Sequence, residues 1–307
     1  MRTMMLEPLR NAIRSAEAVA ALRAVAAKNR DRLIANPDHF ARKFVTGKYA
    51  LVLALPSPVA RNLTEYLSPG GYCYFLARTR FMDEHLLGAL AGSVEQVAIL
   101  GAGYDTRAHR FQTQLAHVTV FEMDLAATQR AKLDRMRKGR LEPARNVVYL
   151  SHDFKSGSLC AALEQAGLDC GRRTFVLWEG VSYFLRESAV RETLSLISRC
   201  APGSSIAFDY ALRSFVDGDD STYGGRQVRK WLQKNGEPFH FGLGAGELGP
   251  YLGAFGLTVQ EDLGPDAFTE RYLIGSDGRP AGKPFGHLRM ALAIKTEAAD
   301  RQTQEAQ

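Results

Sequence analysis

The stretch QVAILGAGYDTR, residues 96–107, decides how this 307-residue chain folds. It opens with a short apolar run that is typical of a buried β-strand. Gly101 and Gly103 follow immediately and predict a tight turn at which the backbone approaches a ligand closely. A dinucleotide-binding fingerprint needs a third glycine at position 106, where the chain has Thr106. The turn therefore predicts a ligand site and disfavours a nicotinamide or flavin cofactor.

Similar apolar runs recur after this strand and alternate with helical patterns. The runs are HVTVFEMD (117–124), NVVYLSHD (146–153), TFVLWEG (174–180) and SSIAFDY (204–210). The helical patterns lie at about 125–139, 156–166 and 186–200. Because strands that alternate with helices form a parallel sheet covered on both faces, we predict a doubly wound α/β fold. Two later strands are predicted at 257–263 and 287–295, the second returning antiparallel.

Helical sequence precedes the first strand, at 1–35, at about 38–67, and up to Gly92. The strand and helix alternation stops after residue 210 and resumes with a helix at about 245–255. We therefore predict a helical cap at 1–92, a core at 93–295 that carries an insertion at 211–244, and a polar tail at 296–307. Cap and insertion are expected to cover the carboxyl ends of the strands, where open α/β sheets bind ligands.

The composition excludes several classes of protein. With 46% hydrophobic and 23% charged residues, the chain is of the globular type and is not disordered. Its longest apolar run, at 49–55, is far shorter than the roughly 20 residues that span a bilayer. Glu7 and Pro8 interrupt the region where a signal peptide would be apolar, so we expect a cytoplasmic protein with no membrane partner. The four cysteines lack CxxC spacing, which argues against a metal site or a disulfide framework.

The net charge of +6 is concentrated in one segment. Residues 130–145, RAKLDRMRKGRLEPAR, contain seven basic and two acidic residues, and the remainder of the chain is almost neutral. A basic surface can indicate a nucleic-acid partner, but an excess confined to one segment does not describe the whole surface. We interpret this segment as a solvated helix face outside the active site, or at most a docking surface for an anionic partner.

Acidic residues close three successive strands, at Glu122, Asp153 and Glu179. Each alone would as readily be a helix cap or a solvated loop end, but three at one edge of a sheet predict a cationic, hydroxyl-rich ligand. Glu122 is placed to accept both hydroxyls of an adenosine ribose. Asp124 either serves the same ligand or caps the next helix. Asp153 and the apolar Phe154 would bind the amino group of adenine and cover its ring.

S-adenosylmethionine combines the groups that these acids would recognise, namely an ammonium, a sulfonium, a ribose and an adenine. Glu179 would hold its ammonium group. Its carboxylate requires a cation, and Arg78, on the helix before the first strand, is the candidate through bidentate pairing.

Six motifs, in this order along the chain, resemble the leucine carboxyl methyltransferase family, and most of all its bacterial branch of polyketide and other small-molecule O-methyltransferases. They are LARTRFMDE (76–84), ILGAGYDTR (99–107), FEMD (121–124), HDF (152–154), EGVSYFL (179–185) and EPFHFG (237–242). The resemblance covers about 35–295. It implies a class I methyltransferase fold with seven strands, the last antiparallel, and S-adenosyl-L-methionine as the methyl donor of an O-methylation in secondary metabolism.

The resemblance also assigns roles to individual residues. The positions that it implies for donor binding are Arg78, Gly101, Ala102, Gly103, Glu122, Asp124, Asp153, Phe154 and Glu179. Asp105 and Arg107 belong to the DTR signature, and we interpret them as an ion pair that shapes the loop at least as readily as ligand contacts. His240 departs from an otherwise aromatic EPFxFG pattern, either as a specificity feature or as a partly buried surface residue.

The methyl acceptor is expected to be a small molecule. A carboxylate acceptor needs no general base, whereas a phenol with a pKa near 10 does. Tyr183 is the candidate catalytic base, Tyr74, Tyr210 and His240 are weaker ones, and we slightly favour carboxyl over phenolic methylation. The insertion contains aromatic residues that predict an apolar or aromatic acceptor, namely Phe215, Tyr223, Trp231, Phe239 and Phe241.

Three other functions stay open at this stage. A nucleic-acid methyltransferase would use the basic segment, but neither an NPPY-like nor a cysteine-based catalytic motif accompanies it, and we expect no nucleic-acid partner. A nicotinamide dehydrogenase would share the sheet and Glu122 but lacks the third glycine. The third is a non-catalytic protein that retains the donor site. The sequence also leaves open whether the protein forms a homodimer.

Overall fold

A mixed sheet forms the centre of the chain in a computed structural model that describes residues 2–154 and 157–297, without the side chains of 2–11. Within these ranges the strands are β1 Gln96–Leu100, β2 Thr119–Asp124, β3 Val147–Ser151, β4 Thr174–Trp178, β5 Ser205–Leu212, β6 Gly242–Leu243, β7 Leu257–Leu263 and β8 Leu288–Lys295. All seven predicted strands are present, and the two-residue β6 is an addition.

The strand order is β3-β2-β1-β4-β5-β8-β7, and β6 pairs with β5. Strands β1 to β5 run parallel, and β8 is antiparallel to both β5 and β7. This order reverses on either side of β1, so β1 and β4 flank the point at which ligands bind in doubly wound sheets. The predicted fold class and the antiparallel last strand are confirmed.

Helices cover both faces of the sheet. They are α1 Arg2–Ala27, α2 Gly47–Ala54, α3 Ser57–Leu67, α4 Gly71–Ala91, α5 Arg107–Arg110, α6 Ala126–Lys138, α7 Leu159–Gln165, α8 Glu187–Arg199, α9 Arg213–Val216, α10 Gly225–Asn235, α11 Leu248–Gly253 and α12 Pro265–Tyr272. Short 3₁₀ turns lie at Arg32–Ile34, Ala41–Phe44 and Ser182–Phe184. Within the described ranges, no helix combines the length and the apolar character needed to cross a membrane.

The single helix predicted at about 38–67 is wrong, because the chain breaks it into a 3₁₀ turn and two helices. Leu55 is extended (φ −65°, ψ 155°) directly before Pro56, as the residue before a proline is biased to be. The structure also contains a helix that was not predicted from the sequence, α12. The first predicted helix, 1–35, ends earlier, at Ala27.

One face of the sheet packs on α4 and the other on α7, α8 and α11. Leu76 and Phe81 of α4 join Val97 and Leu177 of the sheet in one buried cluster. Because α4 packs directly on the sheet, the last helix of the expected cap at 1–92 shares a core with the strands. The division into cap, core and insertion remains a prediction, and 298–307 of the expected polar tail lies outside the described residues.

The turn after β1 requires a glycine at its first position. Gly101 has φ +68°, and a Cβ placed there would lie 2.3 Å from Cγ2 of Val181. The backbone N–H groups of Gly101 and Ala102 both donate to the carbonyl of Met123, at 2.8 and 2.9 Å. These hydrogen bonds therefore connect the turn after β1 to the end of β2. The same turn packs closely against Val181 in the loop that follows β4.

The steric role of Gly101 can be tested by substitution. Gly256 has nearly the same φ, +69°, but a Cβ at that position would meet nothing within 4 Å, so Gly256→Ala isolates the backbone strain. We expect Gly256→Ala to cost about 1 kcal/mol of unfolding free energy and Gly101→Ala about 2 kcal/mol more, measured by urea denaturation. In a Val181→Ala background the two glycine variants should cost the same. Equal costs in the wild-type background would contradict the steric account.

Candidate functional site

Glu179, the first residue after β4, lies between two buried guanidinium groups. Its Oε1 is 3.1 Å from Nε of Arg78, and its Oε2 is 2.8 Å from Nη2 of Arg107. Burial alone would raise the pKa of Glu179, but Arg107 and then Arg78 lower the pKa below its ordinary value. Glu179 is therefore an ionised carboxylate at the carboxyl-end edge of the sheet.

Asp209 in β5 holds the other side of Arg78, and sequence reasoning missed it. This fully buried carboxylate accepts hydrogen bonds from Nη1 of Arg78 at 2.8 Å and from the hydroxyl of Tyr74 at 2.7 Å. Its second oxygen accepts from the backbone N–H of Gly180 at 2.6 Å. The available signal was the motif AFDY, which places a fourth acid in a fourth neighbouring strand.

The predicted ion pair between Asp105 and Arg107 is confirmed. Burial would raise the pKa of Asp105, but Arg107 reverses this effect and the pKa falls to about 2. Arg107 also contacts Asp83 of α4, with Nε at 2.8 Å from Oδ1, and Arg110 binds the same carboxylate at 2.5 Å. The residues of the DTR signature thus connect the turn after β1 to α4 through a series of ion pairs.

The interpretation of the basic segment 130–145 as a solvated helix face is wrong for Lys132 and for Arg135, which is half-buried and paired with Glu17. Lys132 forms an ion pair with Glu122, and each side chain is only 1% exposed. The reason is helical spacing, because Thr128, Lys132 and Met136 follow one another at intervals of four and share the buried face of α6. The solvated basic face consists of Arg130, Arg137, Lys138, Arg140 and Arg145.

The second oxygen of Glu122, Oε1, is buried and has no hydrogen-bond partner among the described residues. Burial raises the pKa of Glu122, and the ammonium group of Lys132 offsets part of that effect. An unsatisfied buried carboxylate oxygen is costly, so this atom is poised to accept a hydrogen bond from a ligand.

Asp124 stabilises the glycine turn. Its Oδ2 accepts from the backbone N–H of Gly103 at 2.6 Å, and its Oδ1 accepts from that of Leu125 at 2.6 Å. It does not cap α6, whose N-cap residue is Leu125. Asp153 is exposed beyond β3, and Phe154 is half-buried against the face that carries α7 and α8.

Aromatic rings extend from the ion pairs into the insertion. The ring of Tyr183 lies 4.3 Å from that of Phe239, which lies 5.6 Å from Phe215, and Phe215 stacks on His287 at 4.1 Å. We call these four residues the aromatic row. Of the other insertion aromatics, Phe241 packs on the opposite face of the sheet, Trp231 is half-buried and Tyr223 is 42% exposed.

Burial raises the pKa of all three candidate tyrosines. The hydroxyl of Tyr183 lies 3.4 Å from Oδ2 of Asp209. The charge of Asp209 raises the pKa of Tyr183 and of Tyr74 further. Tyr210 contacts Asp262, which raises its pKa further. His240 is exposed and donates its backbone N–H to the carbonyl of Tyr183 at 2.7 Å.

Strand order and site position define a class I methyltransferase fold, and two solved structures share it. One is a DUF574 family protein from Streptomyces avermitilis, with a TM-score of 0.56 over 84% of this chain and 97% of that chain at 16% identity. The other is described as a putative methyltransferase from Thermobifida fusca, with a TM-score of 0.52 over 78% and 89% at 14% identity. At these identities the likeness concerns the fold alone.

The chain belongs to the leucine carboxyl methyltransferase family, whose sequence model matches residues 16–198. Two relatives are each named a "Putative S-adenosyl-L-methionine-dependent methyltransferase". YktD of Bacillus subtilis is 29% identical over 64% of this chain and 65% of its own length. The relative from Mycobacteroides abscessus is 34% identical over 70% of this chain and 66% of its own length. The chain thus matches just under two thirds of the length of either relative.

The buried ion pairs predict a large difference between two aspartate variants. Asp209→Asn leaves the buried Arg78 short of one charge partner, so we expect a loss of about 3 kcal/mol in unfolding free energy. Asp262→Asn disrupts a pair with Arg289 that is about 30% exposed, and we expect a loss below about 1 kcal/mol. Urea denaturation of both variants checks this, and equal losses would show that Asp209 is not a buried partner.

Proposed function

We propose that the protein is an S-adenosyl-L-methionine-dependent methyltransferase. The observation that carries the proposal is the Arg78 and Glu179 pair at the carboxyl ends of the strands. A guanidinium and a carboxylate side by side match the two charges of an amino-acid zwitterion, with Arg78 binding its carboxylate and Glu179 its ammonium group. Nε of Arg78 and Oε2 of Glu179 lie at ion-pair distance from a partner but form no aligned hydrogen bond with any described residue, so both are available to a ligand.

The charge balance of the site also supports a cationic ligand. Among the described residues the connected groups are Arg23, Arg78, Arg107 and Arg110 and, opposite them, Asp38, Asp83, Asp105, Glu179 and Asp209. Four guanidinium groups face five carboxylates, which leaves an excess of negative charge. A ligand with both an ammonium and a sulfonium group offsets that excess, whereas a nicotinamide dinucleotide with its pyrophosphate would add to it.

The remaining donor contacts follow from the second and third strands. Oε1 of Glu122, which no described residue hydrogen-bonds, would accept from a ribose hydroxyl, with Asp124 beside it at the turn. Asp153 and Phe154 are proposed for adenine. S-adenosylmethionine, when bound there, supplies an electrophilic methyl group. The chain itself aligns donor and acceptor and excludes water through α1 and the insertion, which suits a displacement that cancels charge.

We further propose that the acceptor is a carboxylate on a small aromatic or apolar metabolite. The aromatic row supports an aromatic or apolar body, because its rings extend from the Arg78 contacts into the insertion. The raised pKa values of Tyr74, Tyr183 and Tyr210 favour neutral phenols that do not act as bases. A carboxylate needs no base, so Tyr183 serves in this proposal to position Asp209 and Arg78 and not to remove a proton.

Titration calorimetry with S-adenosylmethionine tests the donor site. We expect the wild type to bind and Glu179→Gln to bind at least tenfold more weakly, which corresponds to about 1.4 kcal/mol. The matched control is Glu164→Gln, because Glu164 forms an exposed pair with Arg199 and should leave the affinity unchanged. The proposal would be contradicted if the wild type did not bind S-adenosylmethionine, or if a folded Glu179→Gln variant bound it as tightly as the wild type.

The pH dependence of turnover tests the acceptor chemistry. Methylation of an aromatic carboxylic acid should proceed at a constant kcat between about pH 6 and 9, because the acceptor is already ionised and no base titrates. Tyr183→Phe should retain that flat profile. Turnover restricted to phenols, with a rate that rises about tenfold per pH unit, would instead favour phenolic methylation.

A further inference from the structure

His287 is a fully buried imidazole at the same edge of the sheet as the proposed acceptor site. It directly precedes β8, and its carbonyl accepts the backbone N–H of Leu212, the last residue of β5, at 2.9 Å. Its ring stacks on Phe215 with an interplanar angle of 20° and lies 5.2 Å from the ring of Phe285. The imidazole therefore ends the aromatic row that begins at Tyr183.

The two ring nitrogens of His287 have few hydrogen-bond partners among the residues that the structure describes. One nitrogen, Nδ1, is 3.5 Å from the hydroxyl of Thr222, at the limit of a hydrogen bond. The other, Nε2, is buried and has no hydrogen-bond partner among the described residues. An unpaired buried nitrogen is costly, so Nε2 is available to a hydrogen-bonding partner that the described residues do not supply.

The surroundings keep the imidazole neutral. Burial lowers the pKa of His287 to about 3, and Arg229 contributes to the same effect. The guanidinium of Arg229, from α10, lies over the ring of Phe215 at 4.6 Å. A neutral imidazole offers one donor and one acceptor, which suits a hydroxyl or a carbonyl group better than a second charge.

A surface groove lies on the other side of Thr222. This cavity of about 590 Å³ is lined by Thr222, Tyr223 and Gly224 of the insertion and by Glu65 and Pro69 opposite them. The hydroxyl of Tyr223 donates to Glu65 at 2.6 Å, so one hydrogen bond joins the two walls. Thr222 thus contacts both the groove and His287, which places the imidazole at the end of the aromatic row nearest the groove.

We propose that His287 is a specificity residue of the acceptor site, whose Nε2 hydrogen-bonds a hydroxyl or carbonyl substituent of an aromatic carboxylic acid packed along the aromatic row. This inference rests on the proposed methyltransferase function and narrows its acceptor class. A site that hydrogen-bonds a substituent discriminates against the analogue that lacks it, because the buried nitrogen is then left unpaired. His287 acts on the choice of acceptor and takes no part in donor binding.

Paired acceptors test this assignment. The probes are benzoate and 4-hydroxybenzoate, cinnamate and 4-hydroxycinnamate, and 2-naphthoate and 6-hydroxy-2-naphthoate, with kcat/KM measured by mass spectrometry of the methyl ester. We expect the wild type to favour the hydroxylated member of at least one pair by tenfold or more. His287→Phe should bring that ratio close to one, mainly through KM, and His287→Gln should retain part of it.

A buried histidine elsewhere supplies the control. His85 of α4 lies 3.5 Å from Glu261, away from the aromatic row, so His85→Gln should preserve the wild-type ratio. S-adenosylmethionine affinity, measured by calorimetry, should be unchanged in all three variants, which separates this inference from the donor site. An unchanged ratio in His287→Phe, or no preference in any pair by a wild type that binds the donor, would overturn the assignment. A wild type without donor affinity would overturn the proposed function itself.

Discussion

The architecture of the site depends on burying Glu179 and Asp209 around Arg78. A charged group taken out of water is costly unless oppositely charged partners surround it. The chain meets this requirement with residues from α4, α5, β5 and the loop after β4, so the same contacts that satisfy the charges also hold these elements together. The excess of carboxylates over guanidinium groups also favours the binding of a cation. The same buried charges therefore determine both the stability of the site and its preference for a ligand.

The sheet was predictable because its signals are local. Each of the strands β1 to β5 is a short apolar run that ends in a turn, and QVAIL followed by Gly101 shows this most clearly. The positions of Glu122 and Glu179 at one edge of the sheet follow directly from the parallel arrangement. The helical region before the first strand was less predictable, because Pro56 interrupts it between α2 and α3 and the extended Thr46 interrupts it before α2.

The pairings within the site could not be predicted, because they join residues that are distant in sequence. Lys132 looked like part of a basic surface and lies instead on the buried face of α6 beside Glu122. Asp209 has only the short motif AFDY as a signal, and His287 belongs to no motif. Their importance appears only when β5 and β8 are placed side by side under the insertion. A buried polar atom such as Nε2 of His287, which has no hydrogen-bond partner in the described part of the chain, is a property of packing and has no sequence signature.

A crystal structure with bound S-adenosylhomocysteine tests the proposed donor site most directly. We expect the ligand's carboxylate to lie within hydrogen-bond distance of Arg78 and its amino group within that distance of Glu179, roughly 3 Å in each case. We also expect the ribose hydroxyls to contact Glu122 or Asp124. A ligand bound elsewhere, or one bound while Arg78 and Glu179 keep their mutual contact and touch no part of it, would contradict the account.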